Sequence, residues 1–246
     1  MRRQKSVILV IASLPHSRKL MSLHLGVDYE VLTASDVPEA RNVFTEAQPD
    51  LVIVDVDMPG DEGFVFCKRL RAFSDVPLIV LSSRAKESDK VTALELGVDN
   101  YLTKPFGMGE FQARVRAVLR RTEESRDIGN GKYEFDELSV DLGRRRVTSR
   151  GKEVMLTPTE LALLSVFVRN AGKMLTHRYV LEEVWGSAYT EEREYLRAYV
   201  YNLRRKIEPN ARVPRHILNA PGVGYQFAPA IGNQHADVLA STSSAS

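Results

Sequence analysis

Five short apolar runs alternate with amphipathic stretches over the first half of the chain. The runs lie at residues 7–11, 29–34, 51–56, 78–82 and 100–103. Apolar residues recur at helical spacing between and after them, at residues 37–47, 64–72, 88–96 and 108–121. Strands that alternate with helices form parallel sheets covered on both faces. Residues 1–121 are therefore predicted to be an α/β doubly wound domain with a five-stranded parallel sheet.

The pattern changes after residue 121. Residues 122–132 are polar and contain two glycines, which predicts a linker. Residues 133–155 have short strand-like runs broken by glycines, and Thr157, Pro158 and Glu160 then form a capping-box start of a helix. Two further helices are predicted at 176–184 and 191–207, before a hairpin around Pro221. This order predicts a small α+β domain at 133–230, and the Ser- and Ala-rich residues 231–246 are expected to be disordered.

Composition excludes some classes of protein. The chain has 246 residues, a net charge of +2 and one cysteine. No apolar run is long enough to span a bilayer. The short apolar run after the basic N-terminus is interpreted as a buried strand rather than a signal peptide, so a cytoplasmic location is expected, without a membrane partner. Cys67 lies in a helical pattern, where a buried structural thiol is the expected role.

The predicted helix at 191–207 has two different faces. At about 100° per residue, one stripe is apolar, and it consists of Leu196, Val200, Leu203 and Ile207. The opposite face carries Ala198, Tyr201, Asn202 and Arg205, flanked by Arg197, Arg204 and Lys206. Arg can read guanine and Asn can read adenine in a major groove, while Tyr and cations can bond phosphates. The helix is predicted to bind DNA, and an ordinary amphipathic surface helix is the alternative.

Several motifs of the second half resemble the effector domain of OmpR/PhoB-type response regulators. They are Leu156-Thr157-Pro158-Thr159-Glu160-Leu161, Asn170-Ala171-Gly172-Lys173, Val184-Trp185-Gly186, Leu203-Arg204-Arg205-Lys206-Ile207 and Gly222-Val223-Gly224-Tyr225. The resemblance implies a winged-helix domain whose third helix enters the major groove of double-stranded DNA. It also implies a loop at 186–190 that contacts RNA polymerase. The implied DNA-binding residues are Arg197, Tyr201, Asn202, Arg204, Arg205, Lys206 and Arg215. Pro221 departs from the family, since many members carry Arg there, and Arg215 is the candidate substitute.

The first 121 residues resemble a CheY-like receiver domain. Asp55 ends a strand and is the implied phosphoacceptor, because an exposed carboxylate can attack a phosphoryl donor. The implied switch and phosphate-binding residues are Ser82, Tyr101 and Lys104. Typical receivers carry two adjacent acids after the first strand that hold Mg²⁺. Ala12 and Ser13 stand there in this chain.

This loss leaves two interpretations open. Either Asp57 compensates beside Asp55 in the Mg²⁺ site and ordinary phosphorylation survives, or Mg²⁺ binding is weak and activation is slow, absent or independent of phosphate. The alternative function is accordingly a phosphorylation-independent regulator whose receiver serves mainly for dimerisation. Of the two interpretations of the pocket, the first is the conservative one. We favour the second, because losing a charged ligand costs transition-state stabilisation. An enzyme that uses Asp55 and Lys104 on a separate substrate is a remote third hypothesis, since no phosphate-cradling motif supports it. The chain is therefore not expected to be an enzyme.

Within the family, residues 81–90 and 97–114 are similar to regulators of the KdpE type, which act in Kdp potassium transport. The resemblance implies potassium-transport genes as targets and a sensor histidine kinase of the KdpD type as partner. It also implies a homodimer that binds paired half-sites about one helical turn apart. The implied dimer residues are Lys90, Glu95, Glu110, Arg114, Arg116 and Arg121, with Lys90 paired to Glu110 and Glu95 to Arg116. Asn100 replaces an acid, which removes one expected ion pair.

Overall fold

The computed structural model describes residues 5–126 and 131–229. Its first domain contains a five-stranded sheet in which every pairing is parallel and the strand order is β2-β1-β3-β4-β5. The strands are β1 (Val7–Ile11), β2 (Glu30–Ala34), β3 (Leu51–Asp55), β4 (Leu78–Ser82) and β5 (Asn100–Thr103). The predicted doubly wound α/β fold is confirmed. The carboxyl ends of β1, β3, β4 and β5 meet at one edge, which brings the acid pocket together.

Helices cover both faces of this sheet. They are α1 (Pro15–Leu25), α2 (Val37–Ala47), α3 (Glu62–Arg71), α4 (Glu87–Glu95) and α5 (Met108–Arg126). The packing of α1 and α5 on one face includes Met21 and Phe111. On the other face, α2, α3 and α4 contribute residues such as Ala40 and Phe66, with the buried thiol of Cys67. The middle strands are almost fully apolar because they are buried on both sides.

The second domain is α+β, as predicted. An antiparallel sheet is formed by β6 (Lys132–Phe135), β7 (Leu138–Asp141), β8 (Arg146–Ser149) and β9 (Lys152–Glu153). Three helices follow, namely α6 (Pro158–Arg169), α7 (His177–Trp185) and α8 (Arg193–Ile207). The strands β10 (Met174–Thr176), β11 (Ile217–Ala220) and β12 (Gly224–Phe227) form a second antiparallel sheet. The hairpin of β11 and β12 is the predicted wing.

Local signals explain two helix boundaries. The side chain of Thr157 accepts a hydrogen bond from the backbone of Glu160, whose carboxylate accepts one from the Thr157 amide, so the predicted capping box starts α6. By contrast, α5 continues to Arg126, into the segment predicted as linker. Residues 122–126 include two glutamates and an arginine but neither glycine nor proline, so nothing in them ends a helix. The proposed disordered tail, 231–246, lies outside the described residues.

None of the helices within residues 5–126 and 131–229 has the length and apolarity needed to cross a membrane.

Candidate nucleic-acid interface and acid pocket

The core side of α8 agrees with the sequence pattern. Leu196, Val200, Leu203 and Ile207 are each at most 1% exposed and join the core of the second domain. The exposed side carries Arg193, Arg197, Tyr201 and Arg205 at intervals of four residues. The guanidinium of Arg205 lies 5.6 Å from the ring centre of Tyr201. These four side chains form a continuous cationic and aromatic stripe, suited to phosphates and base edges.

Asn202 and Ala198 do not lie on this exposed stripe. Asn202 is 5% exposed and its amide donates to the Leu94 carbonyl oxygen at 2.9 Å, while Ala198 is 3% exposed. Helix α8 packs on α4 of the first domain, and Leu94 of α4 joins the core of the second domain. The expectation that Asn202 faces solvent is therefore wrong for this conformation. Helical periodicity separates apolar from polar faces, but it does not reveal that another domain covers a polar face.

Other predicted DNA-binding residues have partners within the second domain. Arg204 donates from Nε to the Ile217 carbonyl oxygen at 3.1 Å and from Nη2 to Asn219 at 3.0 Å, so it attaches α8 to the wing. Lys206 pairs with the buried Glu160 carboxylate at 2.6 Å. Arg215 is exposed, and its nearest acid is Asp136 at 3.9 Å. Of these three residues, Arg215 is the most available to a partner.

Two tyrosines of α8 attach it to the first domain. Tyr195 accepts a hydrogen bond from the Tyr101 amide at 3.1 Å, and its hydroxyl lies 3.2 Å from Asn100 Oδ1. Tyr199 donates to the Val98 carbonyl oxygen at 3.1 Å and lies 3.2 Å from Asp99 Oδ1. Both rings are fully buried, and burial raises the pKa of both phenols, so the hydroxyls stay protonated.

Asp99 is a buried centre of this interface. Its Oδ1 accepts from the Thr159 hydroxyl of α6 at 2.7 Å. Its Oδ2 accepts from Arg71 at 3.0 Å and from the Leu78 amide at 2.9 Å. A buried carboxylate with this many donors is well compensated. Asp99 thus links α3 and β4 of the first domain to α6 of the second.

Lys90 provides the charged part of the interface. Its ammonium lies 2.5 Å from Glu192 and 2.6 Å from Glu194, at the start of α8. Burial opposes the charge on Lys90, but its hydrogen bonds to the two carboxylates outweigh this and raise its pKa. For Glu194, burial likewise opposes ionisation, while Lys90 lowers its pKa overall. Lys90 and Glu194 therefore hold their charges in the closed arrangement.

The predicted polymerase loop is also in contact with the first domain. Tyr189, in a short 3-10 turn after α7, is 5% exposed. Its hydroxyl accepts from Asn100 at 2.7 Å and from Arg114 at 3.3 Å. Sequence reasoning missed Tyr189, Tyr195 and Tyr199 as interface residues. Their only signal was an excess of aromatic hydroxyls around a DNA-binding helix, which the family pattern alone does not interpret.

Two of the predicted dimer residues, Lys90 and Arg114, contact the second domain. Lys90 contacts Glu192 and Glu194, whereas Glu110 pairs with Arg114 one turn along α5 at 2.9 Å. Lys90 and Glu110 are therefore each paired within the monomer rather than with each other. Glu95 and Arg116 are exposed, and Arg121 is buried. Their pairing across a two-fold axis stays a prediction.

The acid pocket contains a lysine between two carboxylates. Lys104 lies 2.6 Å from Asp55 and 3.1 Å from Asp57. Burial opposes ionisation of Asp57, but the hydrogen bond and charge of Lys104 outweigh it and lower the pKa of Asp57. Asp55 is 4% exposed at the end of β3. The lysine thus offsets one of the two negative charges of the carboxylates from within the chain.

Asp57 also occupies the groups implied to bind a phosphoryl oxygen. Its carboxylate accepts from the Ser82 hydroxyl at 3.2 Å and from the Ser83 amide at 2.8 Å. The hydroxyl of Tyr101 donates to the Arg84 carbonyl oxygen at 2.8 Å. The structure therefore brings Asp55, Asp57, Ser82 and Lys104 together in one pocket.

The donors present do not fit a Mg²⁺ site of the usual receiver kind. Ala12 is buried and its side chain has no ligand atom. The backbone carbonyl oxygens of Ala12 and Ser13 both accept hydrogen bonds from the Arg18 guanidinium. The two remaining carboxylates, Asp55 and Asp57, are bound to Lys104. No group of three or more acidic, His or Cys side chains able to hold a metal occurs in the described ranges. Hard cations such as Mg²⁺ need several free oxygen ligands. The oxygen atoms of this pocket are instead bound by two cationic side chains, Lys104 and Arg18.

Comparison with known proteins agrees with both domains. Residues 8–116 match the model of the response regulator receiver domain, and residues 151–227 match that of the transcriptional regulatory protein, C terminal. The transcriptional regulatory protein KdpE of Mycobacterium tuberculosis (strain ATCC 25618 / H37Rv) is 42% identical over 90% of this chain and 99% of its own length. The KDP operon transcriptional regulatory protein KdpE of Escherichia coli (strain K12) is 46% identical over 73% of this chain and 80% of its own length.

A solved structure of a RitR mutant has a similar fold over most of the chain. It has a TM-score of 0.74 at 21% identity and covers 91% of this chain and 99% of its own. The two matched domains and the relatives above show that the chain belongs to the OmpR/PhoB family of response regulators and carries a DNA-binding transcription-factor domain.

Proposed function

We propose that this regulator controls potassium-transport genes of the kdp kind. We also propose that its monomer rests in a closed form, in which α8 is held against the first domain and is withheld from DNA. The observation that carries the closed form is the hydrogen bond of Asn202 to Leu94, since Asn202 is the residue best suited to read adenine. While that bond exists, the amide of Asn202 is not available to a base. Reading DNA with this side chain requires α8 to leave α4.

The gene target is supported by the two KdpE relatives, which are transcriptional regulators, one of them of the KDP operon. We test it with labelled DNA from upstream of a kdp-type operon of the same genome. The expected result is a footprint on two half-sites about one helical turn apart, with affinity at least 1,000-fold above unrelated DNA of equal length. Equal affinity for both DNAs would contradict the proposed target.

Dimerisation uses the same face of the first domain that α8 covers. Lys90 and Arg114 are engaged with Glu194 and Tyr189 in the closed form, so they cannot serve a second copy at the same time. A homodimer and the closed monomer therefore compete. Dimer formation would free Asn202 of α8 for DNA and Tyr189 for contact with RNA polymerase, whereas the stripe of Arg197 and Arg205 is exposed already in the closed form.

The acid pocket favours a regulator that does not depend on phosphate. Asp57 takes the hydrogen bonds of Ser82 and Ser83, and Lys104 neutralises Asp55. A phosphoryl group on Asp55 would have to displace Asp57 from these donors. We propose that phosphotransfer from a KdpD-type kinase to Asp55 is slow or absent, and that receiver contacts set the activity.

Mass measurement after incubation with a small phosphodonor and Mg²⁺ tests this second proposal. The expected result is no phosphate on Asp55 and equal DNA affinity for wild type and Asp55→Ala. Asp55→Ala also controls for phosphate on other residues. Phosphate on Asp55 that tightens DNA binding would overturn phosphate independence while leaving the gene target intact.

A further inference from the structure

Arg121 of α5 is a buried cation without a hydrogen-bond partner. The residue is 3% exposed, and its Nε, Nη1 and Nη2 atoms are all buried and unpaired in the described part of the chain. A guanidinium does not lose its proton in proteins, so the positive charge persists. Removing such a group from water without a partner is unfavourable.

The surroundings of Arg121 compensate it only weakly. The ring centre of Tyr189 lies 6.0 Å from the guanidinium carbon, at the limit of a cation–π contact. Another buried donor of this region, the indole Nε1 of Trp185, also has no acceptor. Two donors cannot satisfy each other. Arg121 is therefore surrounded by aromatic rings and another hydrogen-bond donor, and no acceptor within the described residues bonds to its guanidinium.

Apart from Trp185, the other charged and polar side chains described at the interface are paired, which distinguishes Arg121 from them. Asp99 accepts from Arg71, the Leu78 amide and Thr159, and Asn100, Tyr195 and Asn202 each have partners across the interface. Tyr189, whose ring lies 6.0 Å from the guanidinium of Arg121, belongs to the second domain. When the domains separate, Tyr189 leaves and water can reach the guanidinium.

We propose that Arg121 is a built-in destabiliser of the closed form, whose uncompensated charge keeps the energy of opening low enough for DNA to compete for α8. The proposal rests on the proposed closed resting form. Arg121 thus has a role inside the monomer: it destabilises the closed form, whereas Lys90, Tyr195 and Tyr199 stabilise it. Removing the charge is expected to tighten closure and weaken DNA binding.

Full-length Arg121→Met is the main test, measured at a concentration at which sedimentation shows a monomer. We expect hydrogen exchange of residues 193–207 to slow by about tenfold and the apparent Kd for DNA to rise by a similar factor. Arg69→Met is the matched control, because Arg69 is exposed on α3 of the same domain and belongs to none of the predicted sites. It is expected to change the exchange of α8 less than twofold. Arg121→Gln is a second variant with the same expected direction, should Met disturb folding.

A combined variant separates closure from a lost DNA or dimer contact. Adding Tyr195→Phe and Tyr199→Phe to Arg121→Met removes closing hydrogen bonds and is expected to restore DNA affinity. Weaker DNA binding with unchanged exchange of α8, or faster exchange, would overturn the role of Arg121. If the two Phe substitutions alone leave DNA affinity unchanged, the closed resting form fails instead, whatever Arg121→Met does.

Discussion

The two buried tyrosines of α8 give a selective way to open the molecule. Tyr195→Phe with Tyr199→Phe removes two hydroxyls and leaves both rings in the core. Each hydroxyl bonds to the first domain, at Tyr101 and Asn100 or at Val98 and Asp99. Neither tyrosine belongs to the predicted DNA-binding or dimer residues. The substitution therefore weakens closure with little direct effect on DNA contacts.

The expected magnitude follows from these bonds. A buried hydrogen bond contributes about 0.5–1.5 kcal/mol net, so two contribute about 1–3 kcal/mol. Asp99 keeps Thr159, Arg71 and the Leu78 amide, so its charge is not left unpaired. A change of 1–3 kcal/mol corresponds to about a 5- to 150-fold shift toward the open form. The apparent DNA affinity should rise by up to that factor, until the open form predominates.

Fluorescence anisotropy with labelled promoter DNA measures this change. Tyr179→Phe is the matched control, because Tyr179 is an exposed ring on α7, and it should alter affinity less than twofold. An affinity for the double variant within twofold of wild type would refute the reasoning that closure limits DNA binding.

Three further outcomes are expected. Glu194 has a lowered pKa in the closed form, so its stabilisation of closure is fully present above its ordinary pKa of 4.5 and is lost as the pH falls through the lowered pKa. Hydrogen exchange of the α8 amides should quicken in that pH range, and Glu194→Gln should flatten this pH dependence. Ala12→Asp with Ser13→Asp should create measurable Mg²⁺ binding by calorimetry, while wild type shows at least tenfold weaker binding; equal binding would contradict the account of the pocket. Asn202→Ala should relax base preference, whereas Arg197→Ala should weaken binding to all sequences with a shallower salt dependence; indistinguishable effects would contradict the proposed docking of α8.

The sequence predicted the fold closely because its signals are local. Alternation of apolar runs with helical patterns identified the sheet, and Thr157 with Glu160 marked the start of α6. The end of α5 was predicted five residues early, since the polar composition of 122–126 was taken for a linker although these residues suit a helix. Local patterns determine secondary structure well where no competing contact decides it.

The candidate site was predicted only in part, because its environment depends on long-range contacts. Asp55, Ser82 and Lys104 follow strand ends, so their proximity could be expected from the topology. The burial of Asn202 against Leu94 joins residues more than a hundred positions apart and leaves no mark in the period of α8. Likewise, Asp57 could be named as a substitute acid, but its bonds to Ser82 and Ser83 required the structure.

The central claim is that DNA binding requires α8 to leave the first domain. The amide of Tyr101 reports this directly, because it lies on β5 and donates to the Tyr195 hydroxyl in the closed form. Its hydrogen exchange can be measured by NMR in the free protein and in the DNA complex. The account predicts that DNA removes much of its protection, by about tenfold or more. Unchanged protection of the Tyr101 amide in a saturated DNA complex would contradict the account.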